Sequence, residues 1–465
     1  MFFKRPLVLH FILLCFCFTG CNQVHRKDVS SIVSLPSSFS ESGSDLLPEK
    51  WWESFKDPQL NALIEQAIDD NFTIRSAWDR LSQAEQIAIK SGASLLPGVD
   101  YQADVTRTRN EISNNVTYTS NYSIGLVASY EVDLWGRVRS SQQAAVLDAE
   151  AAKENVNAAA ITLSAAIAKT WYQLAEAKEQ ETVISNQLDA NQKILDIITL
   201  QFKQGQINAA DVFRQRQLVE SSRGQLIQIQ ETIVLLQHQL SILIGKNPQQ
   251  WWAEDTIALF APPELPEMSV PSNILQRRPD VFSSYKAIRA ADLRVAAAIA
   301  DQYPRISISA TDDTSSNRAS DLFDDWLANL AGNVAGPLFD AGFRKAEVER
   351  SRAVLSQSIN DYAQTTLQAV KEVEDAINQE HYQRRYISNL QSQLALASQT
   401  FESTRLNYLN GQLDYLRVLE SLVSQQSLER NELTARRVLV EHRIDLCRSI
   451  AGSWEMTRPE QAHTY

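Results

Sequence analysis

One spacing constrains this chain more than any other feature. Pro97 and Pro304 stand 207 residues apart, Gly136 and Gly342 stand 206 apart, Gly205 and Gly411 stand 206 apart, and Gly245 and Gly452 stand 207 apart. The contexts agree too, with Gln204-Gly205-Gln206-Ile207 against Asn410-Gly411-Gln412-Leu413 and Ile244-Gly245 against Ala451-Gly452. A self-similar offset of this size predicts two copies of one structural unit. Glycine is scarce, 14 of 465 residues, which fits long uninterrupted helices between the breakers. Those intervals carry a coiled-coil seam: Ile184, Leu188, Asn191, Leu195, Ile198 and Phe202 step by four and three, the period-3.5 pattern. Adding 206 to each gives Leu390, Leu394, Ala397, Phe401, Thr404 and Tyr408. After Gly205 the stepping continues through Val219, Ser222, Leu226, Ile229, Ile233, Leu236, Leu240 and Leu243. The second copy puts Gln426, Arg430 and Arg437 on its seam, so its packing is expected to be looser.

Lengths then decide the architecture. From Gly136 to Gly205 a continuous helix would run roughly 100 Å, whereas the return from Gly205 to Gly245 covers about 60 Å. The missing length lies upstream, where Gln66 to Leu95 has helical pattern over about 45 Å, so two short helices stacked end to end would match the long one. The second copy repeats this, with Pro279 to Tyr303 as its upper piece. Paired helices of such length make a wall or a tube.

Between the upper helix and the long helix the period changes to two. Val99, Tyr101, Ala103 and Val105 alternate with polar residues, as do Tyr122, Ile124, Leu126, Ala128, Tyr130 and Val132, and Ile306, Ile308 and Ala310 in the second copy. Strand hairpins are expected at about 98–133 and 305–339, each strand about as long as a tilted outer-membrane strand needs. Four strands cannot close a barrel, and an open edge in lipid leaves backbone groups unsatisfied. Three chains would supply 3 × 4 = 12 strands. A small soluble β-domain capping the helices is the alternative for these segments.

The N-terminus reads as an address. Lys4 and Arg5 precede the apolar run Pro6 to Phe18, short for a spanning helix and right for an export signal. Phe18-Thr19-Gly20-Cys21 looks like a bacterial lipobox, which implies cleavage of 1–20 and lipidation of Cys21, and Asn22 favours the outer membrane by the same resemblance. Residues 21–48 are Ser-rich, with Pro36 and Pro48, as in a flexible tether. The organisation expected is a first repeat at 49–245, a linker at 246–272, a second repeat at 273–452 and a tail at 453–465.

Four stretches carry a family resemblance: Trp51-Trp52-Glu53-Ser54-Phe55-Lys56-Asp57-Pro58-Gln59-Leu60, Asp133-Leu134-Trp135-Gly136-Arg137, Arg277-Arg278-Pro279-Asp280-Val281 and Gly336-Pro337-Leu338-Phe339-Asp340-Ala341-Gly342. With the repeat, they make the chain resemble the outer-membrane efflux channels of the TolC class, in the lipoprotein branch that serves RND pumps. The resemblance implies a mainly α protein with a shared membrane β-barrel, a homotrimer with a periplasmic helical tunnel, and docking to an adaptor protein and an inner-membrane pump. It further implies that residues after the second hairpin turn ring and constrict the periplasmic entrance. By position these are Leu416, Arg417 and Glu420, with Asp414 and Tyr415 beside them and Asp211 as the corresponding acid of the first copy; Gly205 and Gly411 mark the turns. Some relatives carry an acid where Arg417 stands, so inter-protomer Arg417 to Glu420 ion pairs are the expectation here.

Composition excludes several other classes. The formal net charge of −12 leaves no basic footprint for nucleic acid. Three of the four cysteines lie in the first 21 residues, and His10, His25, His238, His381, His442 and His463 form no metal-ligand spacing. No phosphate-binding loop or nucleophile elbow is present, so no cofactor and no enzyme chemistry are expected. A type I secretion exit duct and a periplasmic coiled-coil scaffold remain the competing functions.

Overall fold

A computed structural model describes residues 33–458, apart from 45, 114, 250–258, 260, 261, 269, 270, 272–276 and 455. The chain divides into a unit Met1–Ser34 and a unit Leu35–Tyr465; the signal segment and Cys21 lie outside the described residues. Among the described residues the second unit forms α1 (Pro58–Asp70), α2 (Phe72–Ala93), β1 (Gly98–Ile112), β2 (Asn115–Val132), α3 (Arg137–Lys203), α4 (Ala209–Leu243), α5 (Pro279–Ala300), β3 (Arg305–Ser316), β4 (Leu327–Ala335), α6 (Phe343–Leu409) and α7 (Tyr415–Ile450).

The two long helices, α3 and α6, have 67 residues each and begin 206 positions apart. Each is started by an aspartate that follows a strand and turns back onto the first helical amides. Asp133 accepts from the backbone N–H groups of Val138 and Arg139, both at 2.9 Å, and Asp340 accepts from Gly342 at 3.0 Å and Arg344 at 3.3 Å. These bonds satisfy donors that the helix itself cannot. They hold the Asp340 carboxyl below its usual range.

The expected single helix over Gln66 to Leu95 is instead two helices, broken at Asn71, whose backbone is extended. The Asn71 side chain explains the break. Its Oδ1 accepts from Thr73 and Ile74 to start α2, while its Nδ2 donates at 2.8 Å to the carbonyl of Leu243 at the end of α4. One amide thereby joins α2 to α4 end to end. The contact is close: a side chain on Gly245 would come within 2.6 Å of the Asp70 carbonyl. The second repeat makes the same joint with a charge. Arg278 donates at 3.0 Å to the carbonyl of Ser449, the position 206 after Leu243, and pairs with Asp280 and Glu372 at 2.6 and 3.0 Å.

Packing orders the wall. In its half nearest the sheet α3 lies between α2 and α5, and α6 lies beyond α5; in the other half α3 lies between α4 and α7, and α6 lies beyond α7. The strands form one antiparallel sheet in the order β1-β2-β3-β4, with register Tyr101 opposite Leu126, Leu126 opposite Asp312 and Asp312 opposite Ala328. No described helix is long and apolar enough to cross a membrane.

The main core sits between sheet and tips, where Trp51, Trp52, Trp171 and Tyr172 are buried with Leu60, Ile64 and Ile167. Trp171 Nε1 donates at 2.8 Å to Asp57, whose other oxygen caps α1 through Gln59 and Leu60. Each buried indole removes about 200 Å² from water, roughly 5 kcal/mol before chain entropy opposes it. The described residues of 35–48, expected as the last part of a flexible tether, have no regular structure, yet part of the segment lies against the body. Phe39 and Leu47 pack with Val373 and Ile377, and Ser40 donates to Glu374 at 2.6 Å.

Candidate constriction at the hairpin tips

The two helical hairpins end in the same backbone device. The amides of Gly205 and Gln206 donate to the carbonyls of Phe202 and Gln201, and those of Gly411 and Gln412 to Tyr408 and Asn407. Closing a helix this way requires a left-handed residue, and Gly205 and Gly411 supply it with φ of 73° and 72°. The next helix is then capped by Asn208, which accepts from the Asp211 amide at 3.0 Å, and by Asp414, which accepts from the Arg417 amide at 3.2 Å.

Beyond the caps the copies diverge by a charge exchange. Asp211 is nearly buried and receives Arg214 at 3.0 Å. At the positions 206 later, Arg417 and Glu420 meet at 3.2 Å on one face of α7, both more than half exposed. The acid-then-base order of the first tip thus becomes base-then-acid in the second. Leu416 is half-buried.

Tyr415 is not on this exposed face. Its ring is buried beside Leu195, Ile198, Val212 and Val219, edge-on to Tyr408 at 5.7 Å. Its hydroxyl donates at 2.6 Å to Gln215 Oε1, and Gln215 Nε2 donates at 2.7 Å to the Asn191 carbonyl. Burial, then the neighbouring Tyr408 and Asp211, push the Tyr415 phenol well above its ordinary value, so it remains a donor at any physiological pH. Tyr408 donates in turn to Gln201 at 2.9 Å. A cleft of about 580 Å³ opens between the two tips, bounded by Ile207, Asn208, Asp211, Tyr408, Leu413, Asp414 and Tyr415.

Behind the tips runs a row of buried polar contacts. Asn191 and Gln426 exchange amide hydrogen bonds at 3.0 and 3.3 Å, and Asn191 also donates to Ser222 at 3.0 Å. Gln187 donates to Glu429 at 2.7 Å and accepts from Arg430 at 2.5 Å, and Arg437 reaches Glu176 at 3.8 Å. These are the polar seam residues expected to loosen the second copy, and the expectation is corrected by where they point. They face α3 of the first repeat and fasten the two hairpins together. Neither Gln215 nor Tyr408 stood out in the sequence as part of a site. A signal existed for Asn191, a lone amide on an otherwise apolar seam, the position that specifies register in coiled coils. Among the described residues no group of His, Cys, Asp and Glu side chains could hold a metal ion.

A double-length helical wall, an attached sheet with open edges and paired hairpin tips define the class of long helical duct proteins that carry membrane strands. The chain belongs to the outer membrane efflux protein family, whose model matches residues 63–246 and 270–452. It is therefore a component of outer-membrane efflux, a transport rather than a catalytic family. It is 26% identical over 419 residues to the pyoverdine export outer membrane protein OpmQ of Pseudomonas aeruginosa, covering 88% of each chain. To the cation efflux system protein CusC of Escherichia coli it is 26% identical, over 92% of this chain and 95% of that one. The crystal structure of CusC superposes with a TM-score of 0.81 over 90% of this chain and 97% of that chain. The probable outer membrane lipoprotein SilC of Salmonella typhimurium is 25% identical, over 94% and 97%.

Proposed function

We propose that three copies of this chain close around a common axis into an outer-membrane channel, the passive exit duct of a tripartite efflux system driven by an inner-membrane pump, of RND type, through a periplasmic adaptor. One observation carries this reading: β1 and β4 are the edge strands of the sheet, each paired on one side only among the described residues. In a bilayer each unpaired backbone group costs several kcal/mol, so β4 of one copy must pair with β1 of the next. The helical edges match that operator. α4 leaves Phe213, Ile227 and Leu235 exposed, and α6 leaves Leu367, Leu396 and Leu406 exposed, so a head-to-tail contact repeated three times buries both and closes a ring.

At the tips, Leu416, Arg417 and Glu420 from three copies encircle the entrance. Each Arg417 exchanges its own Glu420 for that of a neighbour, and Asp414, Tyr415 and Asp211 hold the helix behind them. The turns at Gly205 and Gly411 are the surface offered to the adaptor. Cys21 carries the lipid anchor. OpmQ and CusC are named for unrelated cargoes at the same identity to this chain, so cargo is assigned to pump and adaptor. The duct itself needs no catalytic group.

Mass measurement of the detergent-extracted protein, combined with planar-bilayer conductance, tests the reading. A conducting trimer is expected; a folded, soluble monomer without affinity for lipid would overturn it and favour a periplasmic scaffold. Cys21→Ser is expected to lose the lipid and keep the trimer, because the barrel anchors the assembly by itself.

A further inference from the structure

The β1–β2 hairpin is longer than the sheet it belongs to. β3 ends at Ser316 opposite Tyr122, whereas β1 and β2 remain paired as far as Ile112 and Asn115. Seven further residues of β2 therefore project as a two-stranded tip, about 24 Å long. The two faces of this ribbon differ. On one lie Asp100, Gln102, Asp104, Thr106, Thr108 and Asn110, polar throughout. On the other, Val99, Tyr101, Ala103 and Val105 stand opposite Ala128, Leu126, Ile124 and Tyr122, and this apolar face is the one that must meet lipid in a barrel.

The same apolar face then changes character within one step. After Val105 its next residues are Arg107, Arg109 and Glu111, opposite Ser120, Tyr118 and Val116. The position of the change is informative. From Val132 to Tyr122 the outward residues of β2 span about 34 Å along the strand, about 25 Å in height at a tilt near 40°, comparable to the apolar band of an outer-membrane barrel; β2 itself places no charge there, and the neighbouring strand adds one carboxylate to the face, Asp312 opposite Leu126. At the opposite end Trp135 stacks on Tyr303 at 4.8 Å, the kind of aromatic pair that marks an interface. Arg107 and Arg109 thus emerge where acyl chains give way to headgroups. Arg107 lies over the ring of Tyr118 at 5.3 Å, and among the described residues no carboxylate forms an ion pair with it. A ring on one face of a guanidinium leaves its in-plane N–H groups free for oxygen acceptors. Arg109 pairs with Glu111 at 2.7 Å, both about half exposed, a bond weak enough in water to be exchanged.

We propose that Arg107, Arg109 and Tyr118 form a binding site for the phosphate of an outer-leaflet lipid headgroup on the rim of each protomer. The inference rests on the barrel reading above. The fork geometry of arginine suits phosphate oxygens, the tyrosine orients one fork, and the lipid is the molecule already in contact with the same face below. Glu111 competes for Arg109, so the site is expected to prefer a dianionic phosphate ester over a zwitterionic headgroup.

The test uses the full-length trimer in neutral detergent micelles doped with diphosphorylated lipid A, with lipid A stripped of phosphate, or with inorganic phosphate alone, and follows lipid retention by native mass spectrometry. The wild-type trimer should retain the diphosphorylated lipid about tenfold better than the stripped one, with free phosphate unable to displace it. Arg107→Ala with Arg109→Ala should abolish that preference while conductance is unchanged, and Glu111→Gln should strengthen it. Equal retention of both lipids by the wild-type trimer, or an unchanged preference in the double variant, would overturn the site. Should the double variant fail to assemble, Glu111→Gln still decides, since unchanged retention there also counts against it. Displacement by inorganic phosphate would assign the residues to a free-anion site instead. A wild-type chain that neither conducts nor forms a trimer fails the barrel reading, whereas a conducting trimer indifferent to lipid phosphate fails this inference alone.

Discussion

The two hairpin tips share a backbone and differ in what surrounds their charges. Around Gly205 the acid of the exchanged pair, Asp211, is nearly buried and faces Tyr415 and Tyr408. Around Gly411 both members, Arg417 and Glu420, are exposed to water. A repeat that keeps turn glycines and caps but reverses an ion pair has preserved its folding instructions and changed the exposure of its charges. The first tip is a support fixed by burial; the second presents charges that are free to change partners, since exposed pairs hold each other by only about 0–1 kcal/mol. The end-to-end joints differ in another way, one neutral and one charged, with Arg278 buried. Neutral Asn71 closes the first, and Arg278 with Asp280 and Glu372 closes the second.

The largest expected effect breaks the connection between the repeats. Asn191→Ala leaves the buried amide of Gln426 without its exchange partner, at about 1–3 kcal/mol per chain. The melting temperature of the protein should fall, and hydrogen exchange should rise along α7 near Gln426; an unchanged melting curve would show that the hairpins are fastened elsewhere. Next is Tyr415→Phe, which removes one hydrogen bond to Gln215 at a cost of about 1 kcal/mol. Conductance and antibiotic influx should both increase as α7 loosens from the first tip. Unchanged conductance would detach Tyr415 from the constriction.

A smaller effect separates the two joints by pH. Burial alone would raise the Asp280 carboxyl, but the hydrogen bond and charge of Arg278 outweigh it and hold the pKa below its ordinary value. A carboxyl depressed in the folded state stabilises fully above its unfolded pKa and loses that contribution as pH falls through the folded one. Acid should therefore speed hydrogen exchange at the start of α5 before it does so at the start of α2, where the capping group is an amide. Simultaneous loosening of both joints would contradict the assignment. Smallest in stability is Arg417→Ala or Glu420→Ala, at about 0–1 kcal/mol. Yet either should raise single-channel conductance, and no change in both would remove the pair from the constriction.

Much of this was legible in the chain. The long helices begin where Gly136 and Gly342 announce them and end at Gly205 and Gly411, because helix termination is a local event governed by a residue that can take positive φ. The strands were legible for the same reason, since alternation over Val99 to Val105 and Tyr122 to Val132 reflects neighbours on one sheet face. The break at Asn71 was not. An asparagine in a helical pattern is an ordinary exposed residue until a second helix end, here Leu243, arrives to receive its amide. Gln426, Arg430 and Arg437 misled in the same way, since a seam position names the face of a helix and not the helix it will meet. At the candidate site the turn glycines and the Arg417 to Glu420 spacing could be found from sequence, whereas burial of Tyr415 against Gln215 could not, because those residues are 200 positions apart.

By itself the sequence determined the two-fold repetition, the extent of the two long helices, the turns and the alternation of the strands, all set by periodicity and by residues acting within a few positions of one another. Tertiary structure alone decided which polar side chains became the fastening between the hairpins and which stayed in water at the tip. Pairing across hundreds of residues is selected by packing geometry and by the cost of leaving a buried amide unbonded, and neither quantity exists until the helices have met.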